Sequence, residues 1–327
     1  MLAASNSYIP IWRFDLPSLA GHLKILRVSH WVKNVFVLPG VLVALALDRG
    51  RLTALLPLHV LWGLLAIGLV ASSNYVLNEI LDSDSDRAHP VKCDRPIPTG
   101  QVSVPLAWLQ WIVCALCGMA LGAALDWHLA GVLAVFWLMA CVYNVRPLRA
   151  KDRPYLDVLL EGFNNPLRML AGWYLTGSEA LPVLSLLFSY WMAGCYFMAV
   201  KRLAEYRMIA NPQRSAAYRK SFEWYTEPRL LVSILFYATC SMLFFGAFLM
   251  RYRMEMVLSF PLVAIVMAAY LHMGFEPDSA AQRPEKLYRD PLLMTAIAAC
   301  ALVMGLLLFV DIPLLYRVFP PTSPRWP

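Results

Sequence analysis

Apolar residues in this chain come in blocks of roughly 17–25, the length that crosses about 30 Å of hydrocarbon. The blocks fall at about 34–48, 56–81, 104–125, 129–146, 156–177, 181–203, 229–250, 255–273 and 291–315. The pattern predicts an all-α, multi-pass membrane protein of about nine transmembrane helices. Glycine and proline inside the blocks do not argue against this, because neighbouring helices re-satisfy the backbone. The links between blocks are short, so residues 1–327 read as a single integral-membrane domain. Residues 1–20 form an N-terminal segment, and 316–327 form a tail. Pro10, Arg13, Asp15 and Pro17 interrupt any apolar core of a signal peptide in the first twenty residues.

Composition agrees. Of 327 residues, 60% are hydrophobic and 15% charged, against about half and a quarter in soluble domains. The seven cysteines supply no disulfide or zinc framework. Cys114 and Cys117 form a CxxC inside a span, where packing explains them, and Cys93 lies in a loop.

The net charge of +7 is informative by position. Lys24, Arg27 and Lys33 lie at the first span. Arg87, Lys92 and Arg95 follow the second, and Arg146, Arg149, Lys151 and Arg153 the fourth. Lys201, Arg202, Arg207, Arg214, Arg219 and Lys220 follow the sixth, and Arg283, Lys286 and Arg289 the eighth. The positive-inside rule places these loops and the N-terminus in the cytoplasm of a cell membrane protein, and the C-terminus opposite. The basic charge flanks helices and has no domain of its own, so it does not indicate a nucleic-acid partner.

Polar residues then stand out against the pattern in two places. The first is "NEILDSDSDRAHPVKCDRPIPTG", residues 78–100, at the end of the second span. If the helix continues through Asp86, at about 100° per residue, Asn78, Glu79, Asp82 and Asp86 fall within one arc and Asp84 points away. A hydrated acidic helix end would explain the charge but not this clustering. A calcium loop of the EF-hand type needs Gly and Glu where the chain has Arg87 and Cys93. A divalent-metal site fits: carboxylate and amide oxygens suit Mg²⁺, which shares its shell with water and substrate phosphate.

The second is "YNVRPLRAKDRPYLDVLLEGFNNPLR", residues 143–168. On a helix, Asp157, Glu161, Asn164 and Arg168 share one face. A Glu161–Arg168 salt bridge or a capping role for Asp157 would be structural explanations. Ionisable groups within the membrane cost of order 2.5–3.5 kcal/mol each, so they are retained where they line a polar cavity or pair. Both acidic faces lie at one membrane side, ringed by cations. Acids for metal and bases for phosphate describe a phosphate–metal site.

On these residues the chain resembles the UbiA superfamily of intramembrane prenyltransferases. "NEILDSDSD" matches the family's NDxxDxxxD at Asn78, Asp82 and Asp86, with Glu79 in place of the usual Asp. "YNVRPLRAKDRPYLDVLLE" is loosely similar to its second acidic motif. "LRVSHWVKN", "DRAHPVKCDRPI", "RPYLDVL" and "KRLAE" look more like the decaprenyl-phosphate phosphoribosyltransferase branch. "EGFNNPLR" and Arg149, where Lys is common, depart from it.

The resemblance implies a UbiA-like bundle around a central cavity and a Mg²⁺-dependent transferase acting on a phosphorylated donor and an isoprenoid lipid. It implies Asn78, Asp82, Asp86, Asp157 and Glu161 as metal residues, with Asp82, Asp86 and Asp157 central to catalysis. Lys33, Arg95, Arg149, Lys201 and Arg202 are the candidates for phosphate contacts. Two reactions fit: phosphoribosyl transfer from 5-phosphoribose 1-diphosphate to a polyprenyl phosphate, or prenyl transfer from a polyprenyl diphosphate to an aromatic or other acceptor. A membrane transporter or scaffold is the alternative of another class; a transporter would also place charge in a bundle cavity, but no internal repeat is evident.

Overall fold

The computed structural model describes residues 17–87, 92–209, 219–277, 279–282, 287 and 290–319. Most of the predicted N-terminal segment, Arg214, Arg283, Lys286, Arg289 and most of the tail lie outside them. Among the described residues the structure is helical and without strands. In chain order the helices are α1 (Leu19–Lys24), α2 (Leu38–Leu47), α3 (Leu56–Arg87), α4 (Val104–Leu125), α5 (Trp127–Asn144), α6 (Leu156–Tyr174), α7 (Leu184–Ile209), α8 (Glu227–Tyr252), α9 (Phe260–Phe275), α10 (Pro291–Phe309) and α11 (Pro313–Val318).

Local chemistry sets the ends. Asp126 caps α5 by accepting the Leu129 N–H, Thr226 caps α8, and Asp290 caps α10 ahead of Pro291. The first span is not one continuous α-helix. A 3₁₀ segment, Val28–Val37, separates α1 from α2, and Arg27 before it takes a left-handed φ of 49°. α3 runs to Arg87, so the helix does carry the whole first acidic stretch beyond the predicted span end at 81.

Eight helical stretches among the described residues are long and apolar enough to cross a membrane, against the nine expected. The difference is α6. It is 19 residues long, but Asp157, Glu161 and Arg168 make it too polar to qualify by composition. It is an inner helix of the bundle, and with it the count comes to the nine expected. Along it Asp157, Val158, Gly162, Leu167, Arg168, Ala171 and Gly172 are buried, so its charges face protein rather than lipid.

Glycines allow this helix to be enclosed. A Cβ on Gly162 would stand 2.8 Å from the Cys195 backbone nitrogen, and one on Gly194 would stand 2.8 Å from the Gly162 carbonyl. The α6 and α7 backbones therefore meet at small residues, as membrane helices do where van der Waals contact drives association. They run antiparallel, so this crossing carries the start of α6 against the end of α7 and brings Asp157 to Arg202. The lipid-facing helices carry the exposed apolar side chains, among them Leu109, Leu116, Val232, Leu243 and Leu302.

Candidate active site

The C-terminal ends of α3, α5 and α7 and the N-terminal end of α6 meet at one end of the bundle. The loops 92–103, 145–155 and 219–226 close over them. α5 joins the two acidic clusters through consecutive residues. Tyr143 donates its hydroxyl hydrogen to Glu161 at 3.1 Å, while Asn144 Oδ1 accepts from Lys151 at 2.9 Å.

The first cluster is built on α3, and its face splits into two rows. Asn78 and Asp82 form one. Lys151 Nζ donates to Asp82 Oδ1 at 2.5 Å, to Asn78 Oδ1 at 3.3 Å and to Asn144 Oδ1. Arg149 adds a bond to the same Asp82 oxygen at 3.0 Å and is steadied by Asp152. The loop can aim both cations because Arg149 itself takes a left-handed φ of 31°. Burial lowers the Lys151 pKa to about 8, although Asp82 pulls the other way.

The second row is Glu79 and Asp86. Asp86 accepts from Arg95 at 2.5 Å. Glu79 does not join Asn78 and Asp82 at the Lys151 ammonium, although the single arc drawn from the sequence included it. It is wholly buried, accepts from Arg27 at 2.6 Å and from the Ile97 N–H at 3.2 Å, and ties the start of the chain to the loop after α3. The longer Glu side chain is used for a structural link. Asp84 points outward, with its side chain 93% exposed.

The second cluster centres on Arg202 of α7, which is 1% exposed. Its guanidinium is held by Asp157 at 3.0 Å, Glu161 at 3.1 Å and Glu205 at 2.7 Å. Asp157 is fully buried and its two oxygens are both engaged. Oδ1 accepts from Tyr225 at 2.6 Å; Oδ2 accepts from Arg202 and from Ser221 at 3.3 Å, with Arg219 at 3.4 Å. Burial and the adjacent Asp157 charge raise the Tyr225 pKa, which keeps the phenol protonated and donating. Lys33 and Lys201 lie within electrostatic reach of Glu161. Arg168 is not paired with Glu161; it bonds Asn34 Oδ1 and the Asn164 carbonyl, each at 3.2 Å.

The two clusters are electrostatically continuous. Lys92 interacts with Asp86 on one side and Glu205 on the other, and Lys151 feels Arg219. Among the described residues no three acidic, histidine or cysteine side chains converge on a point. The oxygen set that does converge, Asn78, Asp82 and Asn144, already encloses a cation: the Lys151 ammonium. That nest has the oxygen chemistry Mg²⁺ requires, and a Mg²⁺ bound by one or two carboxylates completes its shell with water and phosphate.

The UbiA prenyltransferase family model matches residues 37–288. The chain belongs to the UbiA family. It is 31% identical over 236 residues to the decaprenyl-phosphate phosphoribosyltransferase of Mycolicibacterium smegmatis, covering 70% of each chain. It is also 31% identical over 198 residues to an uncharacterized protein of Sinorhizobium fredii, covering 61% of this chain and only 36% of that one. The fold superposes on a UbiA homolog from Archaeoglobus fulgidus bound to DMAPP and Mg²⁺ with a TM-score of 0.65, at 21% identity, covering 87% of this chain and 99% of that one. The chain is thus an integral-membrane transferase of UbiA type.

Within this UbiA fold several site residues were not singled out from the sequence, although Asn144 and Lys151 lie inside the stretch that resembles the second acidic motif. Lys151, Asn144, Ser221 and Tyr225 are placed by tertiary contact. The hint for Lys151 was its position in a basic loop directly before the second acidic face. Ser221 and Tyr225 lie in a loop after α7 whose sequence resembles no motif. Glu205, one turn beyond Lys201, is legible as a helix neighbour of Arg202.

Proposed function

We propose that the protein transfers 5-phosphoribose from 5-phosphoribose 1-diphosphate to a polyprenyl phosphate in the cell membrane, with Mg²⁺ and from the cytoplasmic side. The observation that carries this is the cation layer interleaved with the acids: Lys151 and Arg149 on Asp82, Arg95 on Asp86, Arg219 and Arg202 on Asp157. Donor and acceptor together bring three phosphorylated positions: the diphosphate, the 5-phosphate and the lipid phosphate. Prenyl transfer to an aromatic acceptor brings only one. The similarity to phosphoribosyltransferases over 70% of the chain supports the same reading.

Asn78 and Asp82 would hold Mg²⁺, with Asp86 beside them and Glu161 facing from α6. The bound ion supplies Lewis acidity to the leaving diphosphate. Lys151 then exchanges its carboxylate partner for a donor phosphate oxygen, and Arg149 and Arg95 do the same from the loops. Asp157 holds Arg202, Ser221 and Tyr225 in place, and Arg202 in turn fixes Glu161 and Glu205. Lys33 and Lys201 contribute positive charge beside Glu161. The bond from C1 of the ribose to the diphosphate oxygen breaks with its electron pair leaving on the diphosphate. An oxygen of the lipid phosphate forms the new bond to C1. That oxygen is already anionic, so no general base is required. Preorganised cations around the departing diphosphate lower the barrier.

The test is a donor comparison on purified protein with Mg²⁺. Radiolabelled 5-phosphoribose 1-diphosphate is offered with polyprenyl phosphate, and separately a labelled prenyl diphosphate with aromatic acceptors. Label entering lipid from the sugar donor, and lost with EDTA, is the expected result. Transfer from the prenyl donor alone would assign the chain to the other UbiA reaction.

A further inference from the structure

Arg168 shares the second acidic face in sequence, but in the structure it belongs to neither acidic cluster. It lies on α6 seven positions past Glu161, about 10 Å deeper at 1.5 Å per residue. It is 7% exposed. Its Nε donates to Asn34 Oδ1 and its Nη1 to the Asn164 carbonyl, and its guanidinium lies over the Phe136 ring at 4.9 Å from the centroid. Among the described residues no carboxylate pairs with it; the ionisable groups that interact with it are the phenols of Tyr75 and Tyr190. A guanidinium in a bundle interior without an acid carries a desolvation cost that neutral partners offset only in part.

A second, independent observation points to the same place. Asn34 is 3% exposed and its Nδ2 has no hydrogen-bond partner. The amide is planar and its oxygen is fixed on Arg168, so two unused N–H donors sit beside the guanidinium. Two donor groups in one buried place, neither with an anion, describe a site for an oxyanion. Tyr75 links it to the mouth: the phenol interacts with Arg168 on one side and with Glu161 and Lys201 on the other.

We propose that Arg168 and Asn34 bind the phosphate monoester of the lipid acceptor. The inference rests on the transferase reading above and adds the acceptor's subsite to it. The depth matches: a donor whose diphosphate is held at the acids directs its sugar carbon inward, toward an anion held about 10 Å further in. The sign of the charge also discriminates between chemistries. A guanidinium here attracts an anionic nucleophile and opposes a developing allylic cation.

The experiment measures binding of a labelled polyprenyl monophosphate and of the matching polyprenol to purified protein in lipid nanodiscs. Mg²⁺-dependent binding of 5-phosphoribose 1-diphosphate is measured on the same preparations. Wild type prefers the phosphate over the alcohol by about tenfold or more, as hydrogen bonds to a charged group would give. Arg168→Met abolishes that preference, Arg168→Lys restores part of it, and donor binding is unchanged in both. Equal binding of phosphate and alcohol by wild type overturns the proposal without recourse to any variant, so it stays open to refutation if Arg168→Met does not fold. So does an unchanged preference in Arg168→Met. Loss of donor binding instead would assign the site to the donor's 5-phosphate and overturn the acceptor assignment. Phosphate preference through Arg168 in a protein that takes no sugar donor would leave this subsite standing and remove the phosphoribosyl reading.

Discussion

The two acidic clusters share a composition and differ in how they are held. At Asp82 the partners are a loop lysine and a loop arginine, and the three side chains retain 10–20% of their exposure. At Asp157 the partners come from α7 and from the loop before α8. Arg202 is 1% exposed and Asp157 not at all, and both Asp157 oxygens are already used. A carboxylate can give a lone pair to a metal only if its present partner can leave at low cost. Partly hydrated pairs on loops exchange readily, whereas breaking a buried pair leaves an uncompensated charge. We therefore propose that the two acidic motifs do different jobs: Asp82 is set up for exchange, and Asp157 is set up to hold the bundle and aim Arg202.

Variants can break this contrast or sharpen it. The largest effect is expected at the buried hub. Arg202→Met strands Asp157, Glu161 and Glu205 together and should cost about 3–5 kcal/mol. It is read as a lowered midpoint of thermal aggregation in detergent; an unchanged midpoint would show that the hub is not structural. Asp82→Ala should lower transferase activity by more than about a hundredfold, because a metal ligand matters at least as much as the groups that support one. Its thermal stability should fall by less than that of Arg202→Met, since the Lys151 ammonium it leaves behind keeps Asn78 and Asn144 as acceptors. Loss of stability matching that of Arg202→Met would erase the distinction. Arg95→Gln removes the partner of Asp86 and should cost activity about tenfold, seen as weaker donor saturation with the fold intact. Asp84→Ala, on the outward side of α3, should change neither activity nor stability measurably, and a severe loss would refute the division of that helix into faces.

Much of this was legible in the sequence, and what was hidden has a common cause. Helix periodicity reads direction, so it placed Asn78, Asp82 and Asp86 on one side of α3 and Asp84 on the other. Positive charge at one set of loops placed both acidic faces at one mouth. Periodicity does not read partners. The contact from Asp82 to Lys151 spans 69 positions and that from Asp157 to Arg202 spans 45, and nothing local announces either. Glu79 lay inside the predicted arc yet turned to Arg27 and Ile97, because two rows about 70° apart can face different neighbours. α6 is legible as a span by length, but that its polar face is enclosed by protein is not. Arg202 was expected to meet phosphate, and the structure commits its guanidinium to three carboxylates.

We propose that the Asn78–Asp82 nest exchanges the Lys151 ammonium for a metal when the donor arrives. The most direct test uses Mn²⁺ as a paramagnetic substitute for Mg²⁺. Electron paramagnetic resonance then measures Mn²⁺ bound to purified protein with and without 5-phosphoribose 1-diphosphate, in wild type and in Asp82→Ala. Donor-dependent Mn²⁺ binding is expected in wild type, beyond that of donor alone, with its loss in Asp82→Ala. Mn²⁺ binding that is unaffected by Asp82→Ala, or absent with donor present, would contradict it.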